Sequence, residues 1–503
     1  MLNYLLISLF ACTVSGSTSK PNFVIVLTDD QDVTIGGMTP MGNVQRFLAN
    51  EGVTFENSYV ASPICCPSRA SILTGLYVHN HNTVNNSLDG GCYGASWMAH
   101  ERRTFAAALN KAGYNTFYAG KYMNQYGVKE AGGPQRVPPG WSEWHGLVGN
   151  SVYYDYTISS NGVPTHSTDL YLTDVLRDLG VSYIENQTES QPFLMVVAPP
   201  APHQPFTPAP RHRGRYANVT AVRQPNFNVS VDDKHWLMSM APTPLPGSLA
   251  PSLDHAYRSR WEALLAVDEL VADLVGVLET RGLLDNTYFV YTSDNGYHIG
   301  QFSQVYDKRQ PYESDVRVPL VIRGPGIDKN TTSELPVMNI DLAPTILKLA
   351  GVEVPTYMDG HPIDLENKEF KERVVLIEYH GEGHGSVSED CPWKYDDINL
   401  SECKPEYDCK CQDSRNNTYG CIRYFSHFFD IKYCQFDDND CFEELYDLTA
   451  DPYELENVCE QTMPSLVLRY RGLLARMRQI SLIIHTLSAH RATTTLGISA
   501  TSC

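Results

Sequence analysis

The chain has 503 residues and a mass of 56.3 kDa, enough for one large domain with appendages or for two or three ordinary domains. Hydrophobic residues make up 42% of the sequence and charged residues 19%, a mix that excludes a disordered, fibrous or collagen-like chain. The formal net charge of −20 and the pI near 5.2 argue against general affinity for nucleic acid or anionic membranes. An anionic substrate would therefore need local positive charge in its binding site.

Residues 1–17 are typical of a secretory signal. An apolar run over residues 2–14, broken only by Asn3 and Ser8, precedes the small residues 15–17. A buried first strand is the alternative interpretation. No later run is long and uncharged enough to cross a bilayer, so we expect a mature protein in the lysosome or secreted, within the lumen of the secretory pathway.

Two further features favour export. Seven glycosylation sequons are present, at Asn85, Asn186, Asn218, Asn228, Asn330, Asn399 and Asn416. Nine of the thirteen cysteines lie from Cys391 onward, which is typical of disulfide stapling. A zinc ribbon is the alternative, but the single residue between Cys409 and Cys411 does not suit a zinc knuckle.

Apolar strands alternate with helical stretches along the chain, which predicts an α/β sandwich. Continuously apolar segments, typical of strands buried on both faces, are Asn22–Thr28, Phe193–Ala198 and Tyr288–Thr292. Helical stretches are predicted at Thr104–Lys111, Thr168–Ile184 and Tyr257–Thr280. We expect an α/β domain over residues 18–380, a smaller cysteine-rich subdomain over residues 381–480, and a loosely ordered tail over residues 481–503.

Polar residues follow the predicted strands at their carboxyl ends, where ligands bind in such folds. Asp29 and Asp30 end the first strand, and Asp294 and Asn295 follow a later one. Their hard oxygens suit calcium, or magnesium less well. A solvated turn is the alternative for the first pair. His203 would emerge at the same edge of the sheet.

A cysteine pair stands at the predicted start of a helix. Pro67 suits the first helical turn, so Cys65 would lie at a helix N-terminus, where an anion is stabilised. From these residues alone, a reactive thiol, a disulfide between Cys65 and Cys66, and a buried pair all remain open.

The pattern Cys65-x-Pro67-x-Arg69, followed by Ala-Ser-x-Leu-Thr-Gly, resembles the signature of the sulfatase family, in which the first cysteine is oxidised to formylglycine. Further motifs are similar to that family in order and spacing: Leu27–Gln31, Ala119–Asn124, Ala201–Pro205, Ser293–Gln301 and Asp307–Gln310. The resemblance implies an alkaline-phosphatase-like α/β sandwich, with a large mixed, mostly parallel central sheet flanked by helices and a smaller C-terminal α+β subdomain.

Other phrases are similar to the branch of the family that removes 6-O-sulfate from N-acetylglucosamine in heparan and keratan sulfate. They are Gly36–Pro40, His79–His81, Lys234–Trp236, Asn339–Pro344 and Cys391–Cys434. Alternatives are a sulfatase for aryl or other small sulfate esters, and a non-catalytic homologue that binds sulfated glycans. A phosphatase or phosphodiesterase of the same superfamily is disfavoured, because those relatives use Ser or Thr where this chain has Cys65.

The resemblance also implies a metal and a nucleophile. One Ca²⁺ per chain would be held by Asp29, Asp30, Asp294 and Asn295, with the formylglycine at Cys65 as fifth ligand, and no organic cofactor is expected. The hydrated aldehyde would attack sulfur through one hydroxyl, and its second hydroxyl would then expel sulfate.

Basic residues of the motifs would complete the site. Arg69, Lys121 and Lys308 would clamp the sulfate oxygens, and His203 would help protonate the leaving alcohol. Many sulfatases carry a histidine two residues after the motif lysine, where this chain has Met123. His298 is the candidate for that function, with a structural or substrate-contacting role equally open.

Expected partners are a sulfated glycan as substrate and the formylglycine-generating enzyme during maturation, and a homodimer is left open. Of the thirteen cysteines, Cys12 would leave with the signal and Cys65 would be converted, so eleven remain. Because eleven is odd, at least one thiol is unpaired or pairs between chains. Cys441 and Cys459 are candidates to pair with each other.

Overall fold

The computed structural model describes residues 20–489, apart from residues 189, 367–369, 384–386 and 396–398. The secretory signal predicted for residues 1–17 lies outside the described residues, and so does the end of the predicted tail, residues 490–503. The chain is helical as far as Ala489. Among the described helices, none has a stretch long and apolar enough to span a membrane.

The described chain contains the following strands, numbered in chain order. They are β1 Asn22–Thr28, β2 Val53–Phe55, β3 Ser58–Tyr59, β4 Asn115–Lys121, β5 Glu143–Leu147, β6 Tyr156–Ser160, β7 Val163–Ser167, β8 Phe193–Ala198, β9 Thr287–Ser293, β10 His298–Ile299, β11 Tyr306–Asp307, β12 Leu320–Arg323, β13 Thr331–Ser333, β14 Val337–Met338, β15 Arg373–Tyr379, β16 Leu400–Ser401, β17 Asp413–Ser414, β18 Tyr419–Phe425, β19 Asp430–Phe436 and β20 Glu443–Asp447.

The α-helices are numbered in the same way. They are α1 Gly42–Val44, α2 Cys65–Thr74, α3 Val78–His81, α4 Ala95–His100, α5 Phe105–Lys111, α6 Leu172–Glu185, α7 Trp236–Ser239, α8 Ala250–Thr280, α9 Glu313–Val316, α10 Leu342–Leu349 and α11 Pro464–Ala489.

Ten strands form the central sheet in the order β13-β2-β12-β9-β1-β8-β4-β5-β6-β7. Its middle is parallel: β1 pairs with β9 on one side and β8 on the other, and β4 pairs with β8 and β5. The antiparallel pairs involve β12 on one side and β6 and β7 on the other. The predicted mixed, mostly parallel sheet is confirmed.

Both faces of this sheet are covered, as its continuously apolar strands require. Along β1, Phe23 and Ile25 pack into one hydrophobic cluster with residues of α2, α5 and α10. Val24 and Val26 point the other way, into a second cluster with residues of α6 and α8. The three predicted strands are therefore the buried centre of an α/β/α sandwich.

The predicted helices match α5, α6 and α8, but α6 begins four residues later than predicted, at Leu172. Thr104 accepts a hydrogen bond from the Ala107 backbone N–H and caps α5. The long helix α8 begins seven residues earlier than predicted, at Ala250. Pro251 lies in the first turn of α8, where proline is tolerated because its missing N–H has no helical partner to lose.

A second sheet forms the C-terminal part, with antiparallel order β15-β18-β19-β20. Helix α11 packs on it through Val467, Tyr470 and Leu474. Strand β15 belongs to this sheet although it precedes residue 381, so we propose a subdomain boundary before Arg373 in place of the expected boundary at residue 381.

Disulfides staple this part, as the late cysteines predicted. The pairs are Cys391–Cys409, Cys403–Cys411 and Cys421–Cys434, and the last joins cross-strand neighbours of β18 and β19. The zinc-ribbon alternative is therefore wrong. The predicted pairing of Cys441 with Cys459 is also wrong, because Cys441 is in a disulfide while Cys459 keeps a free thiol.

A buried charge network joins the second sheet to helix α9, which lies between β11 and β12 in the chain. The Lys432 ammonium lies 2.8 Å from a carboxylate oxygen of Glu313 and 2.6 Å from one of Glu454. Arg423 also pairs with Glu313. The Lys432 side chain is fully buried. The two carboxylates have lost their contact with water on folding, and the nearby cations compensate for that loss.

We expect Lys432→Met to lower the free energy of unfolding by about 3–5 kcal/mol, because it leaves buried carboxylates without their cation. Denaturant unfolding measures the change. The matched control is Lys329→Met, which removes an exposed pair with Glu51 and should change the stability by less than about 1 kcal/mol. Equal effects of the two substitutions would contradict the role of burial.

Candidate active site

The carboxyl ends of β1 and β9 bring four polar residues together. The two strands run parallel in register, with Thr28 beside Ser293, so the residues that follow them emerge side by side. These are Asp29–Asp30 and Asp294–Asn295, all buried. The Asp30 backbone N–H donates to Oδ1 of Asp294 at 3.0 Å. The two pairs predicted from the sequence are therefore adjacent, and the alternative of a solvated turn at Asp29–Asp30 is wrong.

Two neighbouring strands add basic residues at the same edge. Lys121 is the last residue of β4, and His203 follows the end of β8. Both strands are parallel to β1 within the sheet. The edge thus collects acidic and basic side chains from four consecutive parallel strands, as expected for a ligand site in this class of fold.

Cys65 is the first residue of α2, with Ile64 extended before it and Pro67 within the first turn. Its Sγ lies 3.8 Å from Oδ1 of Asp29. Cys66 pairs with Cys92, so the disulfide between Cys65 and Cys66 that the sequence left open is wrong. Burial raises the pKa of the Cys65 thiol to about 12, which keeps it protonated and disfavours a reactive thiolate.

Lysines neutralise the first acidic pair. Lys121 Nζ lies 2.8 Å from Oδ2 of Asp29, and Lys308 Nζ lies 2.7 Å from Oδ2 of Asp30. Burial alone would raise the pKa of Asp29, but Lys121 and the other nearby cations hold that pKa well below its usual value. Asp29 is therefore ionised and able to bind a cation.

Arg69 fixes the second acidic pair from α2. Its Nε donates to Oδ2 of Asp294 at 2.7 Å, and its Nη1 donates to the Lys121 carbonyl at 2.7 Å. Burial raises the pKa of Asp294 to about 7 against the opposing effect of Arg69. With these donors engaged, Arg69 is placed to hold the site together, while the sulfate clamp expected of it stays a prediction.

The oxygen atoms of this edge fit a divalent cation. One ligand atom from each of Asp29, Asp30, Cys65 and His203 lies within 4.8 Å of the others. Asn295 donates through Nδ2 to Oδ1 of Asp30 at 2.8 Å, while its Oδ1 is buried and has no hydrogen-bond partner among the described residues. Carboxylate oxygens and an amide oxygen without a partner are the kinds of donor that suit Ca²⁺.

His203 is oriented by the backbone. Its Nδ1 lies 2.6 Å from the Gln204 carbonyl, and since a carbonyl only accepts, Nδ1 carries a proton. Nε2 then faces Oδ2 of Asp30 at 3.7 Å. Burial, together with Lys308, lowers the pKa of His203 to about 4.

A cavity of about 170 Å³ opens beside these groups. It is lined by Asp30, His203 and Lys308 together with Asn86, Asn124, Asn150, Gln204, Tyr297, Tyr306, Asp307, Arg309, Glu402, Lys404, Tyr407 and Gln412. Only the first three were predicted as site residues. Arg309 adjoins Lys308 within a recognised motif, but nothing in the sequence pointed to the four residues from the cysteine-rich segment.

Other supporting residues were missed as well. The Ser151 hydroxyl donates to Oδ2 of Asp29, and Arg260 Nη2 donates to the Asp30 carbonyl at 2.7 Å. Both come from segments far from Asp29 in sequence, and a lone Ser or Arg carries no signal of such a contact.

His298 is held away from the cavity wall. Its Nδ1 lies 2.9 Å from Oδ2 of Asp315, and its buried Nε2 has no hydrogen-bond partner among the described residues. The residues that line the cavity do not include it. Its function as a base in place of the histidine missing at Met123 stays a prediction.

Comparison with known proteins decides the family. The sulfatase family model matches residues 21–352. The chain belongs to the sulfatase family. Members of this family hydrolyse sulfuric esters, so the protein is a sulfuric ester hydrolase. It is 47% identical over 467 residues to an N-acetylglucosamine-6-sulfatase of Homo sapiens, covering 90% of this chain and 84% of the relative. The corresponding enzyme of Capra hircus is 48% identical, over 90% of this chain and 83% of the relative.

Solved structures agree with the fold. A protein in complex with its substrate D-glucosamine-2-N,6-O-disulfate matches with a TM-score of 0.73 and 25% identity, over 92% of this chain and 98% of that one.

An arylsulfatase of Volvox carteri is a more distant relative in sequence, 30% identical over 93% of this chain and 76% of its own length. The predicted family and the alkaline-phosphatase-like fold are confirmed.

We expect Asn295→Leu to weaken Ca²⁺ binding at least about tenfold, because it removes the amide oxygen that has no hydrogen-bond partner in the described part of the chain. Titration calorimetry on chelator-treated protein measures the affinity. The matched control is Asn226→Leu, since Asn226 also has a buried Oδ1 without a hydrogen-bond partner among the described residues but lines a different cavity. Undiminished Ca²⁺ affinity in Asn295→Leu would contradict this ligand assignment.

Proposed function

We propose that the protein hydrolyses the 6-O-sulfate ester of N-acetylglucosamine at the ends of heparan and keratan sulfate chains, in glycosaminoglycan degradation. The observation that carries this proposal is the identity of 47–48%, across nine-tenths of the chain, with relatives named N-acetylglucosamine-6-sulfatase. The polar edge of the sheet supports it, because it combines a cation-binding oxygen cluster with Cys65 and basic side chains.

A sulfatase for aryl sulfates is the second candidate, supported by the 30% identity to algal arylsulfatases. The lower identity makes it the weaker proposal. A non-catalytic binder of sulfated glycans is disfavoured by the intact cluster around Cys65. A phosphatase is disfavoured because the nucleophile position is a cysteine and not Ser or Thr.

Two groups would be added to the chain before it is active. Formylglycine made from Cys65 by the formylglycine-generating enzyme would supply a hydrated aldehyde as oxygen nucleophile. A Ca²⁺ ion, held by Asp29, Asp30 and Asn295 with Asp294 and residue 65, would supply positive charge that lowers the pKa of that nucleophile. The first turn of α2 positions residue 65 at the end of the helix where free backbone N–H groups favour negative charge.

The charge balance of the edge suits an anionic substrate. Three carboxylates, Asp29, Asp30 and Asp294, face three cations, Arg69, Lys121 and Lys308. A divalent cation would leave a net positive edge, which attracts a sulfate ester despite the acidic character of the whole chain. Lys308 lines the cavity and would bind sulfate oxygens directly, whereas Lys121 and Arg69 keep the carboxylates and residue 65 in place.

His203 would hold a proton for the leaving alcohol. Its Nδ1 proton is bound by the Gln204 carbonyl, so only Nε2 faces the reacting groups. A second proton on Nε2 would be donated to the alcohol oxygen as the ester bond breaks. Burial and Lys308 outweigh the opposing effect of Asp30 and lower the pKa of His203 to about 4, so this charged form would depend on the added negative charge of a bound sulfate ester.

We propose a lysosomal or secreted location within the secretory-pathway lumen. Three of the seven sequon asparagines, Asn186, Asn218 and Asn330, are exposed, and the other four are partly buried. The disulfides of the C-terminal part require an oxidising compartment. Relatives named as extracellular sulfatases occur in Caenorhabditis elegans and Drosophila melanogaster.

We expect the protein, co-expressed with a formylglycine-generating enzyme, to release sulfate from a 6-sulfated N-acetylglucosamine glycoside with a higher kcat/KM than from an aryl sulfate. Cys65→Ala should abolish both activities, because the nucleophile is lost. Sulfate release is measured with both esters side by side. Preference for the aryl sulfate would favour the second candidate, and activity retained in Cys65→Ala would contradict the mechanism.

We expect His203→Gln to lower kcat for the glycoside by about 10²–10⁴-fold, the usual contribution of a general acid. An aryl sulfate should lose much less activity, since a phenolate leaves without a proton. Comparing kcat of wild type and variant on both esters measures the difference. Equal losses on the two esters would show that His203 does not protonate the leaving group.

A further inference from the structure

One wall of the active-site cavity comes from the cysteine-rich segment. We call residues 399–412 the stapled loop. It is closed within itself by Cys403–Cys411 and tied to the preceding chain by Cys391–Cys409. The sequence placed this segment in a separate subdomain, yet four of its residues line the cavity that also contains Lys308.

The stapled loop is docked on the segment that carries Lys308. Oε1 of Gln412 accepts hydrogen bonds from the backbone N–H groups of Val305 and Tyr306, at 3.0 and 3.1 Å. The Gln310 side chain donates to the Gln412 carbonyl at 3.1 Å. The ring of Tyr407 packs on Tyr306, with centroids 5.1 Å apart. These contacts fix the loop against both sides of the Lys308 position.

The polar residues of the cavity differ in their depth. At its inner end the side chains of Asp30 and Lys308 are 1% and 6% exposed. The stapled loop contributes Glu402 and Lys404, which are 27% and 36% exposed and lie 3.0 Å apart. The inner end has the charges that suit a sulfate group, so the outer pair faces whatever the sulfate is attached to.

We propose that Glu402 and Lys404 bind hydroxyl groups of the sugar that carries the sulfate. This inference rests on the proposed function. A hydroxyl group both donates and accepts, a carboxylate only accepts, and an ammonium only donates. A sugar hydroxyl at the outer end can therefore donate to Glu402 and accept from Lys404 at once. Neither contact is available to the flat ring of an aryl sulfate.

The disulfides give this pair its fixed position. Glu402 and Lys404 flank Cys403, which is bonded to Cys411, eight positions further along the chain. A loop ordered before the substrate arrives loses less conformational entropy on binding. The Cys403–Cys411 bond thus holds Glu402 and Lys404 in position for the sugar, in addition to stabilising the fold.

The test compares two esters with matched lysine substitutions. Lys404→Met should raise KM for a 6-sulfated N-acetylglucosamine glycoside by about tenfold, the size expected for a lost hydrogen bond to a charged group, with kcat little changed. Glu402→Gln should shift KM in the same direction. Neither should alter kcat/KM for an aryl sulfate. The control is Lys371→Met, which removes a surface pair with Asp364, also 3.0 Å long, and should change nothing.

An unchanged KM for the glycoside in Lys404→Met would overturn the proposal, and so would equal losses on both esters. The double variant Cys403→Ser with Cys411→Ser should likewise raise KM for the glycoside while sparing the aryl sulfate. If wild type released no sulfate from the glycoside, the proposed function would fail. Calorimetric binding of that glycoside to the Cys65→Ala protein, with and without Lys404→Met, would then decide the present inference: weaker binding supports it and equal binding overturns it.

Discussion

The parallel pairing of β1 with β9 is the constraint on which the site depends. It sets Asp29–Asp30 beside Asp294–Asn295 at one buried edge. Like charges this close would oppose folding unless compensated. The chain answers with cations from β4, from α2 and from the segment after β11, namely Lys121, Arg69 and Lys308. The buried amide oxygen of Asn295 has no hydrogen-bond partner in the described part of the chain, which is the basis for proposing that this edge binds a cation.

The same edge links the two sheets of the molecule. Lys308 meets Asp30 on one side, and its neighbouring segment accepts the stapled loop on the other. A buried ion pair between Glu313 of α9 and Lys432 of β19 also joins the chain before β12 to the second sheet. Residues of both parts line the cavity. Under the proposed function, the central sheet would supply the groups that bind sulfate, and the C-terminal part would supply the wall that faces the sugar.

The sequence predicted what local patterns encode. Apolar runs located β1, β8 and β9 because such runs are buried on both faces, and the Cys65 motif located α2 and the residues around it. The start of α8 was missed because proline usually interrupts a helix, whereas Pro251 lies in the first turn of this one. The cavity wall was missed because Lys404 and Lys308 line the same cavity although they are far apart in sequence. Neither periodicity nor motif spacing predicts that two distant segments come together. The disulfide pairing was undecided for the same reason.

The most direct test is a crystal structure of the matured protein grown with calcium and with a sulfated N-acetylglucosamine. The account predicts a cation bound by oxygens of Asp29, Asp30 and Asn295, an oxygen-bearing residue at position 65 beside it, and the sulfate at the Lys308 end of the cavity. A cation absent from this edge in calcium, together with an unmodified Cys65 in active protein, would contradict it.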